Sequence, residues 1–267
     1  MADVVPALLD RIEKEFDRRF AKSKEAGRLL TAMADGRATQ PMIHDYSLVA
    51  GRVLRDSLET VLTADTLPDG VLYYNIADRT VKPMLRQNHN MILAYADDVQ
   101  KTIYAKHGTG VGVLNPAFNE NRAAGLIDKM GGLPIGDALT WFDEPLINFC
   151  ENVVDDWTHE NAAALYSAGY SPKIIRTLGA SERRTSGGKY PQIYYIPCDW
   201  CAALAGEYDY NSVKNTGNDV YRRHVGCRCD ITYVEGERVD NVVTHTPVSD
   251  PAEIARRLNY NTEIFRR

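Results

Sequence analysis

The sequence predicts an α+β chain, with a mainly helical N-terminal domain followed by a small cysteine-rich mixed α/β module held together by zinc. Three observations carry this expectation. Apolar residues recur at three- and four-residue spacing through the first half. Beyond Lys189 the pattern shifts to short runs of β-branched and aromatic residues. Four of the five cysteines, Cys198, Cys201, Cys227 and Cys229, fall in that last stretch. A chain of 267 residues suffices for two unequal domains, and the divisions are placed at 1–180, 190–246 and 247–267, the last a short C-terminal helix or tail.

The first element is an amphipathic helix from Val4 to Leu30, with Leu8, Leu9, Ile12, Phe16 and Phe20 on one face and Glu13, Lys14, Asp17 and Arg18 on the other. That stripe either packs on its own domain or enters a partner's groove. A second helix begins near Gln40, with Pro41 in the first turn where a missing N–H costs nothing. It turns Tyr46, Val49, Val53, Leu54, Leu58 and Val61 inward before Pro68-Asp69-Gly70 breaks it. A third is expected from Val81, with Pro83 in its first turn, to about Ala105, with Leu85, Ile92, Tyr95, Val99 and Ile103 in register.

The glycines Gly108, Gly110 and Gly112 suggest a phosphate loop, but no strand precedes them and no Lys-Ser/Thr pair follows, so the segment is read as a turn. Helices follow from Pro116 to Met130 and from Pro134 onward. The latter is renewed at Pro145, with Asp143 as its cap, and runs through Leu146, Phe149, Val153 and Trp157. A short helix capped by Ser171 is expected to end near Gly179, and the polar, basic stretch Ser181 to Lys189 marks the boundary. Beyond it Gln192 to Ile196 reads as a strand, Cys201 to Leu204 as a helical turn and Ile231 to Val234 as a second strand.

A net charge of -5 gives no overall basic field to draw in nucleic acid, so contact with it would need a local patch. Arg183 and Arg184 with Lys189 are diluted by Glu182, and a linker accounts for them. No apolar run approaches the ~20 residues of a bilayer span. The stretch Met1 to Phe20 mixes acids and bases where a leader would have a basic start and an apolar run. The chain is expected to be soluble and unprocessed, without a membrane partner.

Cys198, Cys201, His224, Cys227 and Cys229 offer five donors to a tetrahedral Zn²⁺, which takes four. The Cys-x-x-Cys pair lets two thiolates reach one ion from a single turn, and the second cluster closes the site across the loop. Which four bind is left open. Four protein donors describe a structural site, and the ion supplies folding free energy that so small a module lacks. The alternative is a set of free or disulfide-paired thiols, less apt in a chain of this size without an export signal.

Pro197-Cys198-x-x-Cys201 also fits half of the zinc deaminase signature. For the other half, His-x-Glu, the chain has the adjacent His159 and Glu160, so no residue is placed to shuttle protons. Cys150 reads as a small buried hydrophobe. His44, His89, His107 and His245 read as surface or helix-end residues, and Asp155, Asp156 and Glu160 as a solvated helix face. No catalytic residue is expected.

Two stretches, Cys198-Asp199-Trp200-Cys201-Ala202-Ala203-Leu204-Ala205-Gly206-Glu207-Tyr208-Asp209-Tyr210 and Asp219-Val220-Tyr221-Arg222-Arg223-His224 with Cys227-Arg228-Cys229, together resemble a known signature. It is the C-terminal signature of phage head morphogenesis proteins, the Mu F-like minor head family. Leu67 to Gly70, Tyr73 to Ala77, Asp143-Glu144-Pro145, Ser171 to Ile174 and Asn241-Val242 are similar to minor head proteins of prophages in Gram-positive bacteria, which extends the resemblance along most of the chain. The family's usual His-Pro-x-Cys-Arg-Cys has proline where this chain has Val225, a departure that loosens the turn and spares every donor.

The resemblance implies a low-copy, non-enzymatic minor capsid protein of a tailed phage, assembled in the host cytoplasm and resident in the virion head. Its implied partners are the portal protein and the major capsid protein, in a position where packaged DNA can touch it. Some relatives carry toxin or transferase domains after the core, and an end at Arg267 leaves no room for one. Two other classes compete. A zinc-dependent enzyme acting on a nucleotide or nucleic acid needs an exchangeable water on the ion and a pocket beside it. A host-directed effector with a zinc module needs a basic or aromatic face, and Trp200, Tyr208, Tyr210 and Tyr221 are more simply partners of a small core.

Overall fold

The regular apolar spacing of the first half does produce helices, and the chain closes them with short strands. The computed structural model describes residues 3–179, 181–184, 193–196, 199–215 and 220–238, with the backbone alone at 181–184 and 193–196. The predicted tail at 247–267 lies outside the described residues. In chain order the helices are α1 (Val5–Lys22), α2 (Lys24–Ala34), α3 (Gln40–Val61), α4 (Tyr74–His107), α5 (Glu120–Met130), α6 (Ile135–Phe142), α7 (Glu144–Ser167), α8 (Asp199–Leu204) and α9 (Tyr210–Val213). The strands are β1 (Val71–Leu72), β2 (Leu133–Pro134), β3 (Lys173–Thr177), β4 (Ser181–Arg184), β5 (Ile193–Ile196), β6 (Gly206–Asp209) and β7 (Asp230–Val234). The layout is α+β, mostly helical, with small sheets and a cysteine cluster near the C-terminal end. Among the described residues no helix is long and apolar enough to cross a membrane.

α3 lies at the centre, packed on α1, α4 and α7. Of the two uses open to the α1 stripe, the fold takes the first: Val5, Leu8, Ile12 and Phe16 are buried in the chain's own core. The long first helix is broken at Ser23, which is extended and whose Oγ accepts a hydrogen bond from Ala26 N at 3.2 Å, capping α2.

α4 begins at Tyr74, ahead of the expected Val81, so Pro83 sits inside the helix. An internal proline costs about 3 kcal/mol. Burial of Ile76, Ala77 and Val81 before it, and of Met84 and Leu85 after it, holds the helix across the lost bond. α5 starts at Glu120 with Asn119 as its cap, where the sequence suggested Pro116. Asp143 precedes α7 but does not cap it; its Oδ1 accepts from Arg55 Nη1 at 3.0 Å.

The largest correction falls on Ser171 to Gly179, read as a helix from its Ser-Pro start. It is the strand β3, with Ile174 and Arg176 buried and Lys173, Ile175 and Thr177 more open, the alternation of a sheet. β3 is the centre of an antiparallel sheet of order β6-β3-β7, pairing Ile174 with both Tyr208 and Tyr233. Ladder bonds on both sides outweigh the local helix signal. β4 and β5 pair separately, so Ser181 to Arg184 is strand where a linker was expected. β5, α8 and β7 fall where the sequence placed them.

The expected boundary at residues 181–189 runs through this topology, since β3 lies before it and β6 and β7 after it. Ile174, Tyr210, Val213, Val220, Ile231 and Tyr233 are buried in the same core as the helices. Tyr233 reaches furthest, its Oη 3.0 Å from Tyr104 Oη and its ring 5.7 Å from that of Trp157. On the outer edge of β7, Tyr233 N donates to Gln40 Oε1 at 3.0 Å and Thr158 Oγ1 donates to Ile231 O at 3.2 Å. Helix side chains thus satisfy backbone groups that an edge strand would otherwise leave open.

Candidate metal centre

Cys201 comes from α8, while His224, Cys227 and Cys229 lie on the segment leading into β7. The Sγ atoms of Cys201, Cys227 and Cys229 all fall within 4.8 Å of one another, and all three residues are buried. Three buried cysteines therefore lie close enough to bind a metal ion. Cys201 Sγ and Cys227 Sγ are 3.6 Å apart. That is far beyond the ~2.0 Å of a disulfide and near the ~3.8 Å edge of a tetrahedron with metal–sulfur bonds of about 2.3 Å. The described cysteines Cys150, Cys201, Cys227 and Cys229 are all free thiols.

His224 adjoins the trio through Cys201, with Nε2 3.2 Å from Cys201 Sγ. Its Nδ1 lies 2.8 Å from Val225 O, so donation from Nδ1–H to that carbonyl leaves the Nε2 lone pair toward the sulfurs. Cys198, the fifth expected donor, lies outside the described residues. As free thiols, the hydrogen bond between Cys227 and Cys229 raises the pKa of the first and lowers that of the second to about 7, while burial raises Cys201.

The turn before Cys227 explains how His224 and Cys227 meet. Cys227 N donates to His224 O at 3.0 Å, and Gly226 has φ +76°, which makes residues 224–227 a type II turn. Only glycine takes the third position without strain, and Val225 occupies the second, 67% exposed. Proline is favoured there because its ring fixes φ near the required value. Val225→Pro is expected to stabilise the protein by about 0.5–1 kcal/mol by restricting the unfolded chain. A lowered thermal midpoint would contradict this turn assignment.

Arg176 carries no mark in the sequence, because the Ser-Pro start at Ser171 points to a helix there. It is 1% exposed and sends Nη2 to both Cys201 Sγ and Cys227 Sγ at 3.6 Å, while Nη1 donates to Val220 O and Arg222 O at 2.6 and 2.8 Å. A guanidinium keeps its charge at any ordinary pH, and a buried charge is costly unless balanced. Its acceptors are two sulfurs and two carbonyls, and the sulfurs supply the balance when they are thiolates. Three thiolates around a divalent ion would carry one net negative charge, and Arg176 is placed to offset it.

Behind the cysteines lies a buried network of ion pairs. His44, expected as a surface or helix-end residue, is 3% exposed, and its Nε2 is 3.0 Å from Glu151 Oε1 and its Nδ1 2.5 Å from Asp230 Oδ1. Asp155 is buried, against its expected place on a solvated face, and takes Arg223 Nε and Nη2 at 2.5 and 2.8 Å. Glu151 and Asp155 are one turn apart on α7, and that face points at the cysteine segment. Burial opposes the charge of Arg223, but Asp155 and Glu151 outweigh it and raise its pKa.

His89 is also buried, edge-on to Phe118, whereas His107 does lie at a helix end, beside Glu235. His245 lies outside the described residues. Cys150 is buried as expected, its thiol pushed up to about 12 by that burial.

Burial pushes the imidazole of His44 down in pKa, but Asp230 and Glu151 outweigh both that and the opposing Arg223, holding it at about 9. An unfolded histidine titrates near 6.5. The stabilisation is therefore complete below pH 6.5 and is lost as pH rises from there to about 9, an effect of about 3 kcal/mol. Denaturant midpoints should fall over this window, and His44→Gln should flatten the fall. An equally steep fall in the variant would remove His44 as its source.

A separate cleft of about 610 Å³ is lined by Asn119, Arg122, Asp156, His159, Glu160 and Tyr221 among others, with no cysteine among its lining residues. Arg223 stands between it and the cysteines, lining the cleft while its Nη1 lies 4.0 Å from Cys227 Sγ. His159 Nε2 donates to Lys214 O at 3.1 Å, and Asp156 is paired with Arg122 at 2.7 Å. No family model, no curated protein and no solved structure matches the chain.

Proposed function

We propose that the chain is a minor capsid, head morphogenesis protein of a tailed phage, associated with the portal or inner capsid, and that its cysteine cluster holds one structural zinc ion. The resemblance of residues 198–210, 219–224 and 227–229 to the minor head signature supplies the biological reading. The observation that carries it is that six of the signature's described residues, Cys201, Tyr210, Val220, Cys227, Arg228 and Cys229, are buried and so help to hold the fold. Thiolates select a soft or borderline ion, and a fourth protein donor, Cys198 or His224, closes the site as structural zinc requires. Zinc there would fix α8 against the segment entering β7.

The deaminase-like alternative asks for a proton-shuttling carboxylate beside the ion. The buried carboxylates nearest the cysteine segment, Glu151 and Asp155, are paired with arginines, and Glu160 faces the separate cleft. The partners that follow from the reading are the portal protein and the major capsid protein, and the location is the virion head. Mass spectrometry of purified DNA-filled heads is expected to detect peptides of this chain at low copy. Their absence from heads of a phage whose infected lysate contains the protein would overturn the assignment.

A further inference from the structure

The segment from Arg223 to Asp230 is two-sided. His224, Cys227 and Cys229 turn toward the candidate metal centre, and their chain neighbours Arg223, Arg228 and Asp230 turn toward α3 and α7. On that second side the contacts converge on Glu151, 0% exposed in the middle of α7. Its Oε1 accepts from His44 Nε2 at 3.0 Å and Arg223 Nη1 at 3.2 Å, and its Oε2 accepts from Arg228 Nη1 at 3.2 Å. Asp155 holds the rest of Arg223, and Glu144 Oε2 accepts from Arg228 Nη2 at 2.6 Å. Asn148 Nδ2, one turn from Glu151, donates to His224 O at 2.9 Å.

We propose that Glu151 is a positioning residue for the metal centre, acting through Arg223 and Arg228 on ligands it does not touch. The inference rests on the metal reading given above. Each cysteine or histidine of the segment has a chain neighbour pinned to α7 or α3, so the spacing of the donors is set before an ion arrives. A preformed site avoids the ordering cost that a loose loop would meet on binding. Loss of an outer partner of this kind weakens metal binding by about 10–100-fold even when every ligand remains. Glu151 is the shared acceptor of both arginines, so its charge fixes their separation and with it the path from His224 to Cys229.

The test is zinc affinity by competition with a chromophoric chelator, together with the ligand-field bands of the cobalt(II)-substituted protein. Glu151→Gln is expected to weaken zinc about 10–100-fold and to shift the cobalt bands. Glu144→Gln, which loosens Arg228 at a less buried carboxylate, should act in the same direction to a smaller extent and serves if Glu151→Gln does not fold. Asp156→Asn, on the same helix but paired with Arg122, should change neither readout. Unchanged affinity and bands in the first two variants, or an equal loss in Asp156→Asn, would overturn the proposal. A wild-type protein that binds no zinc would instead overturn the metal reading beneath it.

Discussion

Removing residues 1–20 is expected to yield a chain that precipitates or lacks a cooperative unfolding transition. α1 places Val5, Leu8, Ile12 and Phe16 in the core against α3 and α4, with no more than 4% of any of them exposed. Truncating one such residue to alanine typically costs about 2–5 kcal/mol. Losing four together therefore matches or exceeds the ~5–15 kcal/mol that holds a typical domain folded. The deletion also lays bare Phe20's partner Tyr46, whose ring meets it edge-on at 5.8 Å. Circular dichroism and solubility of the truncated protein test this. A soluble remainder with an unchanged thermal midpoint would free α1 for a partner's groove on the portal or capsid.

Cys227→Ser is expected to abolish tight zinc binding and to lower stability by several kcal/mol, on the order of what metal binding supplies to a small site. Cys227 is fully buried, and the change replaces a thiolate with a weak ligand while leaving Arg176 and Arg223 facing a hydroxyl. A boundary at 181–189 predicts that losing a ligand, Cys201 for example, unfolds the C-terminal module and spares the helices. The shared core predicts otherwise, because Tyr233 and Ile231 on β7 pack with Tyr104 and Trp157. Far-ultraviolet circular dichroism and tryptophan fluorescence should report one coincident transition in the variant. Two separate transitions would restore the boundary.

The helices α3 and α7 and the stripe of α1 were legible because each carries a continuous apolar face whose period is local. The break at Ser23 was not, because a polar residue between two compatible stripes declares itself as a cap only when Ala26 N turns to meet it. Pro83 is a related case: local propensity places it in a first turn, and tertiary burial of Ile76, Ala77 and Val81 overrides that. At β3 the Ser-Pro start outweighed the β-branched run Ile174, Ile175 and Thr177, which was the strand signal.

The site divides the same way. The cysteines and His224 are legible by spacing, since Cys-x-x-Cys and Cys-x-Cys bring donors together within a few residues. Arg176, His44 and Glu151 are not, because their roles exist only across the fold; His44 and Glu151 are 107 residues apart in sequence. Charged residues on a helix read as a solvated face until another element arrives to bury them.

The most direct test of the metal-closed centre is elemental analysis of protein purified without added metal, paired with thiol titration in the native state. One zinc per chain is expected, with Cys201, Cys227 and Cys229 unreactive until a chelator removes the ion. Substoichiometric zinc, with these thiols reacting freely in the folded protein, would contradict it.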